Sequence, residues 1–154
     1  MKDIYINRLM MTELPANELS TSDITVTSAF LGKNPRSPMY GKIIGFFNKN
    51  NRTYKFTYNV HKPNSRNPHL SNKMTDLEEI ITVNGRPDTI DAEFGNKAFW
   101  DYTSLEHLKL IGDTDAYMLR ELMDKITKYS RRHDLCKSFR KTDKEAIALN
   151  PRFS

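Results

Sequence analysis

KIIGFFNKNNRTYKFTYNV, residues 42–60, is the stretch whose reading decides the fold. Its second half, TYKFTYNV (53–60), alternates strictly. Tyr54, Phe56, Tyr58 and Val60 fall on one side, and Thr53, Lys55, Thr57 and Asn59 on the other. Strand side chains point to opposite faces with period two, so this pattern predicts a half-buried strand. Its first half, KIIGFFN (42–48), is apolar almost throughout and predicts a strand central in a sheet. The Asn and Lys cluster NKNNR (48–52) between them is turn chemistry. Upstream, SDITVTSAFLG (22–32) reads as a further strand ending at Gly32. Three such strands in succession predict an antiparallel meander.

Downstream, LEEIITVNGRPDTIDAEFG (77–95) contains Asn84-Gly85. That pair is a strong hairpin signal, because both residues accept a positive φ. Ile80, Ile81 and Val83 supply the first arm and Thr89–Phe94 the second, with Pro87 directing it to a sheet edge. Thr103-Ser-Leu-Glu106 matches a capping box at a helix start, and Gly112 a helix end. A longer helix is predicted from Thr114 to Leu135, with Leu119, Leu122, Ile126 and Tyr129 as its apolar stripe. The fold class is therefore α+β: an antiparallel meander plus an Asn-Gly hairpin, packed with two C-terminal helices. One domain is expected over 1–139, followed by a short basic tail, 140–154. Ala146, Ile147, Leu149 and Phe153 offer that tail apolar contacts.

The chain has 154 residues, enough for one real core. At 38% hydrophobic and 28% charged residues, it lies outside the disordered range. No apolar stretch approaches the roughly 20 residues needed to cross a bilayer. The first residues, MKDIYINRLMM, are broken by Asp3 and Asn7-Arg8 and do not read as a signal peptide. A single cysteine, Cys136, excludes an intrachain disulfide and fits a reducing compartment. These features point to the cytoplasm, or to the host cytoplasm or virion if the chain is viral. The Lys- and Asn-rich wording of the meander resembles that of small proteins from AT-rich bacteriophage genomes, in composition only.

Charge placement is more informative than the net +5. Residues 24–75 contain no Asp or Glu and carry nine bases: Lys33, Arg36, Lys42, Lys49, Arg52, Lys55, Lys62, Arg66 and Lys73. Residues 76–124 carry twelve acids against four bases, and residues 125–154 nine bases against three acids. In a meander, loops alternate between the two ends of the sheet. The loops at 32–41 and 61–73 therefore share one end, opposite the turn at 49–51. Lys33, Arg36, Lys62, Arg66 and Lys73 would form one acid-free patch there, with His61 and His69 nearby. Like charges repel in the free protein, and an arriving anion relieves that repulsion. Arg131, Arg132, Lys137 and Arg140 at the long helix's end and beyond offer a second phosphate contact. The helix dipole by itself favours bases at that end.

Three blander readings compete. The cations form an ordinary solvated face, the acidic block neutralises the basic block within one chain, or the two blocks pair between subunits. Asp88, Asp91, Glu93 and Lys97 loosely resemble the order of the PD-(D/E)xK nucleases, which would bind Mg²⁺. No acid-x-Lys triplet follows, however, and Pro87-Asp88 lies too close to the second acids. His133 and Cys136, spaced i, i+3, lack the further ligands that zinc requires. The Tyr54/Phe56/Tyr58 row reads as core, the other option being an exposed stacking platform.

The expected function is non-enzymatic binding of nucleic-acid phosphates, without strong sequence preference and with no cofactor or metal. Lys33, Arg36, Lys62, Arg66 and Lys73 would carry it, joined by Arg131, Arg132, Lys137 and Arg140. The alternative is an assembly or protein-interaction subunit whose partner is an acidic protein surface or a second copy of itself. A Mg²⁺-dependent nuclease is a distant third. No membrane partner is expected.

Overall fold

The computed structural model describes residues 11–34, 36–60, 73–95 and 105–135. Among them, six strands lie in one sheet in chain order, every neighbouring pair antiparallel. They are β1 (Met11–Leu14), β2 (Thr25–Gly32), β3 (Lys42–Lys49), β4 (Arg52–Asn59), β5 (Lys73–Val83) and β6 (Arg86–Asp91). A short helix α1 (Ala16–Leu19) follows β1, and α2 (Leu105–Ile111) and α3 (Thr114–Arg132) follow β6. The α+β architecture expected from the sequence is the one observed.

The alternation in β4 sets the core. Tyr54, Phe56, Tyr58 and Val60 are buried, with Val26, Ala29 and Leu31 of β2 and Ile43 and Phe47 of β3 in the same cluster. Phe47 stacks on Tyr54 at 5.0 Å between ring centroids, and Phe94 meets both rings edge-on or tilted. Leu119, Leu122, Met123, Ile126 and Tyr129 of α3 close the cluster from above. Each buried side chain of this size contributes about 1.5–3 kcal/mol relative to exposure. The aromatic row is therefore core.

β3 reads as continuously apolar because both of its faces are covered. Ile43 and Phe47 point into the core, while Ile44 is buried on the opposite face, directly across from buried Phe30. Gly45 sits opposite Phe56 in register, and a Cβ there would lie 2.2 Å from the ring's Cζ. The missing side chain is the space that the Phe56 ring occupies.

Both tight turns use left-handed residues. Asn50 and Asn51 join β3 to β4 with φ of 52° and 63°, and Asn84 and Gly85 join β5 to β6 with φ of 51° and 75°. Positive φ at both central residues is the primed turn whose twist suits a hairpin. With two residues in the turn, Val83 and Arg86 exchange hydrogen bonds, so Arg86, Asp88 and Ile90 face β5 with their backbone groups. Ala92 continues the series, its N–H bonding Leu77 O at 3.3 Å. Pro87 and Thr89 then face the open edge. Pro87 has no N–H to offer, and the Thr89 N–H is bonded by Asp88 Oδ1 at 2.8 Å. At these two positions β6 thus offers another strand no unbonded N–H.

Asp113 caps α3, its Oδ1 accepting from Ala116 N at 3.0 Å. Gly112, at φ 74°, closes α2 with its N–H on Leu108 O. The α3 stripe is buried as predicted, although α3 ends at Arg132 rather than Leu135. The other departures concern strands. The sheet has one strand more than the meander and hairpin predict, because β1 joins it at one edge, and β5 is longer than expected, running for 11 residues from Lys73. The second hairpin arm is 86–91, not 89–94, since a two-residue turn places Arg86 directly in the strand. The capping residues Thr103 and Ser104 and the tail 140–154 lie outside the described residues.

Candidate functional site

The meander has a turn end, marked by Asn50-Asn51, and a loop end. Register fixes what stands at the loop end. Lys42 pairs with Asn59, Asn59 with Lys73, and Gly32 with Met11. The connection 33–41 starts and finishes there, as does the one from Val60 to Lys73. Of the predicted cations, Lys62 and Arg66 lie within the second connection and outside the described residues, and so do Lys137 and Arg140 beyond α3. Lys73 is the first residue of β5.

The 33–41 loop is built from local hydrogen bonds. Asn34 Oδ1 accepts from Arg36 N at 2.9 Å, and Ser37 Oγ accepts from Met39 N at 3.1 Å. Gly41 N donates to Gly32 O at 3.0 Å, so the loop folds back onto the strand that it leaves. Gly32 permits that return, since a Cβ there would lie 2.1 Å from Met39 O. Lys33 and Arg36 are exposed on this frame. Lys42, half-buried at the first position of β3, stands beside them along the sheet.

Two contacts orient α3. At its start, Ala116 and Leu119 pack on Gly95, next to Phe94, whose ring meets Tyr54 and Phe47 near the turn end. Farther along, Thr127 hydrogen-bonds the Tyr58 hydroxyl, one residue from the loop end of β4. Thr127 donates its own proton to Met123 O at 2.8 Å, so Tyr58 is the donor. On the helix's flank, Glu121, Asp124, Lys125 and Lys128 line a cleft with Thr21 and Ser22, which lead into β2 at the turn end. Arg131 and Arg132 follow Thr127 by four and five residues, about 6–8 Å farther along the axis. Both are exposed.

Tyr129 anchors this end of the helix. Its ring is buried, the His133 ring packs against it, tilted by 36°, at 4.3 Å between centroids, and the Arg132 guanidinium lies 5.8 Å from its centre. Burial raises the phenol's pKa above its ordinary value, and Glu18 adds to the rise, while Arg132 opposes it.

Acids concentrate elsewhere. Glu79 meets Arg52 at 3.8 Å near the turn end, and Glu78 stands opposite Lys55. Asp88 and Asp91 lie along the turn half of β5, against Ile81 and Glu78. Asp76 and Glu13 are the strand acids that come nearest the loop end, each about two residues in from it, and Asp134 follows α3. Four of the five acids on β5 and β6 therefore lie in the turn half, and Lys33, Arg36 and Lys42 stand at the loop end. Beside the Asn50-Asn51 turn is a shallow polar cleft of about 370 Å³, lined by Asp23, Asn48, Lys49 and Thr53 among others.

Asp91 ends β6 and Glu93 lies past it, so strand alternation does not set the two carboxylates on one face. Lys97 and Cys136 lie outside the described residues. Sequence reasoning missed Lys42 as a member of the basic end and missed the Tyr129/His133 ring pair. The i, i+4 spacing of Tyr129 and His133 was the available signal for the pair. Among the described residues, no helix is long and apolar enough to cross a membrane. Comparison with protein-family models, curated proteins and solved structures finds no match for the chain.

Proposed function

We propose that the loop end of the sheet binds nucleic acid through its phosphates. The reading rests on one observation. Of the five acids on β5 and β6, all but Asp76 are set against the turn half, while the exposed Lys33 and Arg36 stand at the other end. Lys33 and Arg36 come from one loop, and Arg131 and Arg132 from the last turn of α3. Lys62, Arg66 and Lys73 belong to the connection that returns there, and Lys137 and Arg140 extend the helix's basic run. Cations held on separate elements can follow a backbone whose charges recur every few ångströms, whereas a single small anion would meet only one or two of them. The helix dipole accounts for a preference for bases at the α3 terminus, but not for the cations of the 33–41 loop.

The test is fluorescence anisotropy of labelled oligonucleotides across a salt series. The proposal expects log K to fall linearly with log salt. Replacing Lys33, Arg36, Arg131 and Arg132 by Ala should flatten the slope by up to about three to four units, if each meets one phosphate. Absence of binding at about 50–100 mM salt, where non-specific binders remain associated, overturns the reading.

A further inference from the structure

We infer that His133 is a base-stacking platform and that the site takes single-stranded nucleic acid in preference to duplex. This rests on the phosphate-binding reading above and adds to it the class of nucleic acid. The observation is a ring pair at the edge of the protein. Tyr129 is buried in the core cluster, and His133 lies on it at 4.3 Å with an interplanar angle of 36°. His133 itself is exposed. A ring fixed from beneath by a core residue loses little freedom when a base settles on it, and base stacking on aromatic or His rings is tolerant of sequence.

Its position suits that role. His133 is the C-cap of α3 and is exposed at the helix's basic end. Arg131 and Arg132 immediately precede it, so a strand whose phosphates meet the guanidiniums brings a base within reach of the imidazole. The Arg132 guanidinium, 5.8 Å from the centre of the Tyr129 ring, is a planar cation beside the ring pair. Bases in a duplex are stacked on one another and cannot reach a ring on a protein surface, while bases of a single strand can be splayed out to it.

Electrostatics alone would give the opposite preference. Duplex DNA carries a charge about every 1.7 Å of axis, and its counterion release per contact exceeds that of a single strand. A preference for single strands is therefore diagnostic of stacking.

The experiment compares a single-stranded oligonucleotide with its duplex, at equal salt, for the wild type, His133→Ala and His133→Phe. A 2-aminopurine base in the single strand reports stacking by fluorescence quenching. The inference expects tighter binding of the single strand by the wild type, with quenching. His133→Ala should weaken single-strand binding about fivefold or more and abolish the quench, with the salt slope kept. His133→Phe, which keeps an aromatic face, should restore both. Equal affinity for the two forms, or single-strand binding and quenching indifferent to His133→Ala, overturns the stacking inference while salt-dependent binding leaves the phosphate reading standing. Absence of salt-dependent binding to either form overturns both.

Discussion

Replacing Gly45 by Ala tests the packing on which the whole sheet depends. The new Cβ would stand 2.2 Å from Phe56 Cζ and 2.4 Å from Cε1, where ordinary contact begins near 3.4 Å. The ring must retreat by more than about 1 Å. It has little room, being fully buried with Phe47 6.1 Å away between centroids. Overpacking of this kind costs about 1–3 kcal/mol, occasionally more. The opposing gain, from a less flexible unfolded chain, is about 0.4–1 kcal/mol, so the clash wins. A net loss of about 2 kcal/mol should lower Tm by roughly 4–8 °C in a domain of this size. Urea and thermal unfolding measure both quantities. Phe56→Leu in the Gly45→Ala background should recover part of the loss, giving a coupling of about 0.5 kcal/mol or more between the two sites. A neutral Gly45→Ala, or strictly additive costs in the double variant, would refute the register that sets Gly45 against Phe56.

Two further outcomes follow from particular contacts. Tyr129 has its phenol pKa raised by burial, so the fold disfavours its ionisation; its contribution is complete below about pH 10, the unfolded value, and is lost as pH rises through the folded one. Tyr129→Phe should make stability fall less steeply above about pH 10 in alkaline unfolding titrations, and an unchanged alkaline limb would count against the burial. Pro87→Thr gives β6 an outward N–H that the proline lacks, so sedimentation velocity should show new self-association; a protein that sediments unchanged contradicts the role of Pro87 at the edge.

Much of this fold is legible residue by residue, and the illegible parts have identifiable causes. β4 alternates because one of its faces is buried, and Asn84-Gly85 marks a turn that only residues tolerant of positive φ can make. The first half of β5 hides behind a register irregularity. Thr57 pairs with Asp76 but Tyr58 with Met74, so Thr75 is an extra residue and the buried Met74 and Leu77 are three apart rather than two. KMTDLEE therefore shows no period of two. β1 and α1 have four residues each, too few for any periodicity, and each buries one leucine, Leu14 and Leu19. Pro87 suggests an edge, yet its place inside the strand follows only from turn length, which sets which backbone groups face outward. Of the basic end, strand parity was enough to set the strand ends that flank both connections at one end of the sheet. The direction of α3 was not readable, because it depends on tertiary contacts from Gly95 and Tyr58 to a helix far along the chain.

The central claim is that position, not net charge, confers binding. Lys33→Glu with Arg36→Glu, at the loop end, changes the net charge by the same amount as Lys49→Glu with Arg52→Glu, at the turn end. The Arg52–Glu79 contact is long, at 3.8 Å, and its Arg52 side is exposed, so it contributes little stability and both variants should fold. Their affinities for one single-stranded oligonucleotide, at one salt concentration, decide the matter. The account predicts that the loop-end pair loses at least about tenfold, while the turn-end pair loses no more than about threefold, as expected of charges about a Debye length or more from the contact. Equal losses at the two ends, or a greater loss at the turn end, would contradict it.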